Sequence, residues 1–216
     1  DDPKYILDNH IIKDLSWERT KSIFLDEDRK SGLYAPLTYL SWAVEFNYVR
    51  LDPYLYHLDN LLLHLLNTGL LYVFILLLTG RIEIAVITAI LFGVHPMHVE
   101  SVSWITERKD VLYTFFFLLS LLCYTRYVKG ERNKIALIIS SFILFWLSLL
   151  SKPAAVTLPL ILIALDYYLG YFEKIFQGKK PIWGLKIILE KIPFLGLSVI
   201  WGIITINTTR SIADGS

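Results

Sequence analysis

Two strongly apolar runs, Ile82 to Val94 and Val111 to Tyr124, bracket a dense set of ionisable residues: His95-Pro-Met-His98-Val-Glu100-Ser-Val-Ser-Trp-Ile-Thr-Glu107-Arg108-Lys109-Asp110. A bilayer crossing takes roughly 20 residues of helix, and each flank is about long enough to cross or nearly cross. The ionisable set therefore belongs at a membrane surface between two spans. Charge next to a bilayer is costly unless it does something, so this segment is a candidate functional site.

Composition agrees with a membrane protein. Hydrophobic residues make up 55% of the chain and the mean hydropathy is +0.51, above the roughly 45–50% apolar content of ordinary soluble domains. Six Trp and thirteen Tyr suit the membrane–water interface, where such rings settle. A net charge of +1 gives no global field for nucleic acid, so no nucleic-acid partner is expected. The single cysteine, Cys123, excludes an intrachain disulfide and leaves the redox compartment unread. The chain opens on Asp1-Asp2-Pro3 without an initiator Met or signal peptide. It is expected to begin inside a larger protein, just after a missing first span.

Six spans are read: Leu58–Leu78, Ile82–Val94, Val111–Tyr127, Ile135–Leu150, Ala154–Tyr171 and Ile192–Asn207. Gly80 follows the first span where a helix terminator is expected. Pro153 and Pro193 stand near span starts, where a missing N–H costs little. Short links carry the basic residues: Arg81, then Arg126 to Lys134, then Lys174 to Lys191. The positive-inside rule makes their side cytoplasmic. The opposite side then holds residues 1–56, the His95–Asp110 segment and the Ser151-Lys152-Pro153 turn. Residues 1–56 are expected to form an extracytoplasmic first loop with amphipathic helices, and 57–216 a bundle of about six helices. In the loop, Asp14 to Phe24 reads as a short helix capped by Ser16, with Leu15, Trp17, Ile23 and Phe24 able to rest on the membrane. Pro36 to Tyr48 reads as a second helix, packed beside the first span. Lys174–Lys191 reads as an amphipathic segment on the cytoplasmic face.

Several groups are candidates for chemistry, each with a plainer alternative. Asp1 and Asp2 are paired carboxylates, which push each other's pKa values apart and suit a general base. A solvated terminus would carry the same pair. His95-x-x-His98-x-Glu100 has ligand types at plausible metal spacing. It lacks the HExxH signature and contains a proline, so a polar active-site wall or a helix cap with satisfied histidines competes with a divalent metal site. No metal or other cofactor is assigned. Glu100 is the best second acid on this segment. Arg108, Lys109 and Lys152 could hold a lipid-linked phosphate, or contact phospholipid head groups. His57, Asn60, His64 and Asn67 recur three, four and three residues apart, which puts them on one face of the first span. That face suits either interhelical hydrogen bonds or a substrate groove. Asp166 reads as an anchor near the cytoplasmic interface.

These residues, in this order, resemble the membrane glycosyltransferases of the GT-C superfamily. The resemblance is to the transmembrane and tetratricopeptide-repeat O-mannosyltransferases and their bacterial counterparts. It rests on Asp1-Asp2, Ala35-Pro36-Leu37-Thr38, Tyr56-His57-Leu58-x-Asn60-Leu61-Leu62-Leu63-His64 and Phe92-x-x-His95-Pro-x-His98-x-Glu100-Ser-Val. It continues through Glu107-Arg108-Lys109-Asp110-Val111-Leu112, Ser151-Lys152-Pro153 and Asp166-Tyr167. It implies an all-α, polytopic GT-C-like transmembrane helix bundle with an outer juxtamembrane helical segment. The implied activity is transfer of a sugar, mannose or a similar hexose, from a polyprenyl-phosphate donor to an acceptor hydroxyl on protein or glycan at the extracytoplasmic face.

The resemblance maps the base onto Asp1 and Asp2, and donor-phosphate binding onto Arg108 with His95, His98 and Glu100. The expected setting is a bacterial or archaeal plasma membrane rather than the endoplasmic reticulum. Two other readings compete. One is a non-catalytic membrane subunit that binds lipid or other membrane subunits. The other is a transporter of a lipid-linked substrate, which should show inverted repeats.

Overall fold

The computed structural model describes residues 12–13, 15–25, 34–171 and 182–213, with side chains in the last helix from 189 to 208. Among these residues all regular structure is helical. In chain order the helices are α1 (Trp17–Leu25), α2 (Pro36–Val49), α3 (Pro53–Thr79), α4 (Ile82–Gly93), α5 (His98–Ser103), α6 (Arg108–Lys129), α7 (Lys134–Ser151), α8 (Leu158–Tyr168) and α9 (Ile182–Ala213). Short 3₁₀ turns, Ile105–Glu107 and Pro153–Thr157, lead into α6 and α8.

The helix ends follow from local chemistry. Asp52 caps α3, its carboxylate accepting from the Tyr54 N–H at 3.1 Å, and Pro53 occupies the first turn, where no N–H is missed. Gly80 ends α3 at φ 70°, its N–H returning to the Leu76 carbonyl. This left-handed stop is cheap only for glycine. The expected Ser16 cap on α1 forms, accepting from the Arg19 N–H at 3.4 Å.

Among the described residues four segments are long and apolar enough to cross a bilayer: Pro53–Thr79, Ile105–Lys129, Lys134–Ser151 and Leu189–Thr208. Their lipid-side surfaces are rich in exposed leucine, isoleucine and valine, as on Leu61, Leu65, Ile143 and Ile203. The chain is an integral membrane protein. The remaining two of the six expected spans are shorter, Ile82–Gly93 and Pro153–Tyr168. At 1.5 Å per residue the 12 residues of α4 cover only ~18 Å of a core about 30 Å thick.

The second crossing is therefore broken. The Gly93 carbonyl at the end of α4 meets the His64 ring at 3.0 Å. His64 lies eleven residues into α3, ~16 Å from its outer end. Asn60 lies one turn nearer that end of α3, and its Nδ2 donates to the carbonyl of Trp104, just past α5, at 3.0 Å. The segment from His95 to Trp104 thus climbs beside α3 instead of forming a loop at the outer surface. Pro96 lacks the N–H that would continue α4.

Around this hairpin the bundle closes through small hydroxyls. The Ser120 and Ser141 hydroxyls each donate to the other's carbonyl, at 2.8 and 3.0 Å, and Ser148 donates to the Tyr113 carbonyl at 2.9 Å. Small residues let α6 and α7 approach closely without lipid between them. Phe145, Leu149, Leu162 and Phe194 fill the core of α6–α9. Lys129 donates to the Leu77 carbonyl. The Gly80 and Gly130 turns thus lie at the same end, as the charge pattern requires.

At that end Asp166 is fully buried and pairs with Lys191 at 2.7 Å. The Tyr124 hydroxyl donates to the other Asp166 oxygen at 2.7 Å. Asp166 is an anchor, as expected, but one inside the protein rather than at the interface. Outside the bundle, α1 lies over α2. Ile23 is buried there with Tyr39, Trp42 and Tyr56 while Trp17 is exposed, so the membrane-facing set expected for α1 divides. α2 packs on the outer end of α7 as well as near α3, with the Thr38 hydroxyl donating to the Ser151 carbonyl at 3.0 Å.

Candidate functional site

The break in the second crossing leaves a cavity of about 380 Å³ among His64 and Asn67 of α3, Phe92 of α4, His98 and Ser101 of α5, and Asp110 of α6. His64, His98 and Asn67 are each placed by a backbone carbonyl that the break or the helix crossing makes available. His98 Nδ1 donates to the Phe92 carbonyl at 2.8 Å, and His64 Nε2 donates to Gly93. A carbonyl oxygen only accepts, so these nitrogens carry the protons. Asn67 Nδ2 donates to the Val111 carbonyl at 2.8 Å. Its Oδ1 has no partner although the residue is only 1% exposed. Asp110 accepts from Lys152 and, at 3.4 Å, from the Ser101 hydroxyl. Lys152 also lies over the Tyr113 ring, 5.9 Å from its centroid.

The other expected site residues lie elsewhere or around this cavity. His95 is exposed beside it, its ring 5.8 Å from that of His98 and its Nδ1 accepting from the Met97 N–H. Glu100 is exposed on α5. Lys109 pairs with Glu107 at 2.9 Å. His57 is exposed and borders a separate hollow of about 450 Å³ with Tyr54, Val102 and Ser103. Asp1 and Asp2 lie outside the described residues. Among the described residues, no three His, Cys, Asp or Glu side chains gather as a metal site would require.

Arg108 and Asn60 belong to a second network. Arg108 is buried; its guanidinium donates to both Glu45 oxygens, to the Tyr56 carbonyl at 2.9 Å and, through Nε, to Asn60 Oδ1 at 2.8 Å. A guanidinium satisfied in this way is already neutralised by a carboxylate. Burial pushes the Glu45 carboxyl up from its ordinary value, against the pull of Arg108, and the nearby negative charge of Asp59 adds to the rise. The pair borders an apolar groove of about 690 Å³ between α2, α3 and α6, walled by Val44, Leu62, Leu66, Leu112 and Phe116.

Sequence reasoning passed over Glu45, although it is the one ionisable residue of Pro36–Val49. A lone charge in an apolar helix is a usable signal. Asp110 was quoted within the polar segment without a role, and Asn67 only as part of the α3 stripe.

No protein-family model matches the chain, and no solved structure does. Curated relatives do. Protein O-mannosyl-transferase tmtc2 of Xenopus laevis is 40% identical over 119 residues, 55% of this chain and 14% of that protein. TMTC2 of Homo sapiens is 42% identical over 94 residues, 44% of this chain and 11% of that protein. TMTC3 of Homo sapiens is 34% identical over 144 residues, 62% of this chain and 15% of that protein. The matched stretch is thus a small part of each relative's length.

Proposed function

We propose, for a chain about half of which is homologous to the TMTC protein O-mannosyl-transferases, that it is part of an integral-membrane glycosyltransferase of the GT-C type. It would move mannose or a similar hexose from a polyprenyl-phosphate donor to an acceptor hydroxyl on protein, at the extracytoplasmic face. The observation that carries this reading is the homology itself. The cavity beneath the broken crossing supports it, because that cavity is built from the segments on which the resemblance rests. The relatives named above are vertebrate proteins, whereas the membrane expected from the sequence is a bacterial or archaeal one.

The chemistry divides among the groups as follows. An acid group takes the proton of the acceptor hydroxyl as it attacks the sugar carbon, a role given to Asp1 or Asp2, with Glu100 the exposed acid of α5. The sugar–phosphate oxygen bond breaks, and the departing polyprenyl phosphate needs positive charge. Lys152 and Lys109 are partly exposed, each paired with a carboxylate, Asp110 and Glu107, and supply it by exchanging that partner for the phosphate. Arg108, committed to Glu45, acts by holding α2 and α6 together beside them.

The test is a glycosyl-transfer assay on membranes containing the full-length protein with labelled polyprenyl-phosphate mannose. Wild-type protein should transfer label. The joint Asp1→Asn and Asp2→Asn change should abolish transfer, and Lys152→Ala should reduce it at least tenfold, with the protein still inserted. No transfer from any polyprenyl-phosphate sugar would overturn the reading in favour of a binding subunit.

A further inference from the structure

The cavity below the broken crossing is rich in hydrogen-bond acceptors; of its lining hydroxyls, those of Ser101 and Thr114 already donate to Asp110, and that of Tyr113 can donate. His98 spends its Nδ1 proton on Phe92, and His64 spends its Nε2 proton on Gly93. A neutral imidazole has one N–H, so the remaining nitrogen of each ring is a lone-pair acceptor. The Asn67 amide is oriented by Val111, because only nitrogen can donate to that carbonyl. Its oxygen is left buried with no partner, a state that costs free energy unless something donates to it. The Asp110 carboxylate, acceptor-only when ionised, completes the set. Lys152, beside it, is already paired with Asp110.

Phosphate is a poor occupant of such a place. It brings negative charge and more acceptors to a wall of acceptors. A neutral molecule carrying several hydroxyls is the complementary ligand. Each hydroxyl can donate to a ring nitrogen, to Asn67 Oδ1 or to Asp110. The rings of Phe92 and Tyr113 also line the space and give it apolar surface beside the polar groups. A volume of about 380 Å³ falls in the usual range for small-molecule sites, roughly 300–1,000 Å³.

We infer that this cavity is the subsite for the hydroxyl groups of the transferred sugar, with Asn67 and His98 as its recognition residues, and that the donor phosphate lies outside it. The inference rests on the glycosyl-transfer reading and departs from the expectation that His98 binds phosphate. It also gives the α3 polar stripe two roles. Asn60 holds the fold, while His64 and Asn67 meet the ligand.

The experiment compares two lipids on the full-length protein in nanodiscs: polyprenyl-phosphate mannose and the same polyprenyl phosphate without sugar. Wild-type protein should bind the sugar-bearing lipid at least tenfold more tightly. Asn67→Leu, close in size and unable to hydrogen-bond, should erase that advantage and leave bare polyprenyl phosphate within twofold of wild type. His98→Phe keeps a ring beside Phe92 and should act in the same direction, which covers the case in which Asn67→Leu does not fold. Equal losses for both lipids, or an unchanged sugar advantage, would overturn the subsite while leaving the glycosyltransferase reading intact. The same holds if wild-type protein binds both lipids equally. Binding of neither lipid by wild-type protein would instead remove the glycosyltransferase reading, and the subsite with it.

Discussion

Glu45 and Arg108, 63 residues apart in sequence, form an ion pair in which neither side chain is more than 7% exposed. It ties α2, an element of the outer segment, to the start of α6. Removing one partner of a buried pair strands the other charge, at a cost of ~3–5 kcal/mol. Glu45→Ala should therefore lower the thermal midpoint of the detergent-solubilised protein sharply. Joint replacement by Glu45→Leu and Arg108→Met should recover most of that loss, because well-packed apolar residues often replace such pairs without penalty. A double variant as unstable as the single one would show that the pair does more than neutralise itself.

The same carboxylate sets a pH dependence. Burial raises the folded-state pKa of Glu45 above its ordinary value of 4.5. In the window just above 4.5 the folded chain binds a proton that the unfolded chain has released, so stability falls as pH rises through that window. Glu45→Gln cannot titrate and should remove this part of the slope. Thermal midpoints of the two proteins, measured in small steps upward from about pH 4, should converge at the acid end and separate as Glu45 ionises. Parallel curves would contradict the assignment.

The crossing of α3 and α4 is tight at one point. A Cβ added at Gly93 would lie 3.2 Å from Thr68 Cγ2 and 3.3 Å from its Oγ1. Gly93→Ala should push α4 away and loosen the Gly93–His64 contact, with a stability loss of about 1–3 kcal/mol typical of overpacking. Thr68→Ala in the same chain should restore much of it. A double-mutant cycle with no coupling would rule out the steric account.

At the Gly80 and Gly130 end of the bundle, Asp166, Lys191 and Tyr124 join α8, α9 and α6. Asp166→Ala should cut the yield of folded protein, again by a few kcal/mol for an abandoned buried lysine. The outer cavity shares no residue with this network. Donor affinity of the fraction that does fold should accordingly stay at the wild-type value in the lipid-binding measurement.

The long spans were legible because hydropathy and the Gly80 stop point the same way. The α3 stripe was legible too. Asn60, His64 and Asn67 do bond across to neighbouring elements, and His57, at the exposed outer turn, does not join them. The break after Gly93 was not legible. Apolar residues ending at Pro96 look the same whether the chain leaves the membrane there or turns and climbs, and only contacts to α3 distinguish the two. The partner of Arg108 was hidden for a similar reason. An arginine at a span mouth reads as phosphate-binding until its partner is known, and that partner lies in a helix far away in sequence.

The shortness of α4 has a consequence for how the protein is made. A stretch of 12 apolar residues is too brief to be committed to a bilayer by itself, where about 20 are needed. Its last carbonyl, at Gly93, is met by the His64 ring of α3. The segment must therefore enter together with α3, as a hairpin folded about Gly80 and already held against its neighbour. Biogenesis of this region is a two-helix event, and damage at the Gly80 turn would be seen first as chains that never integrate.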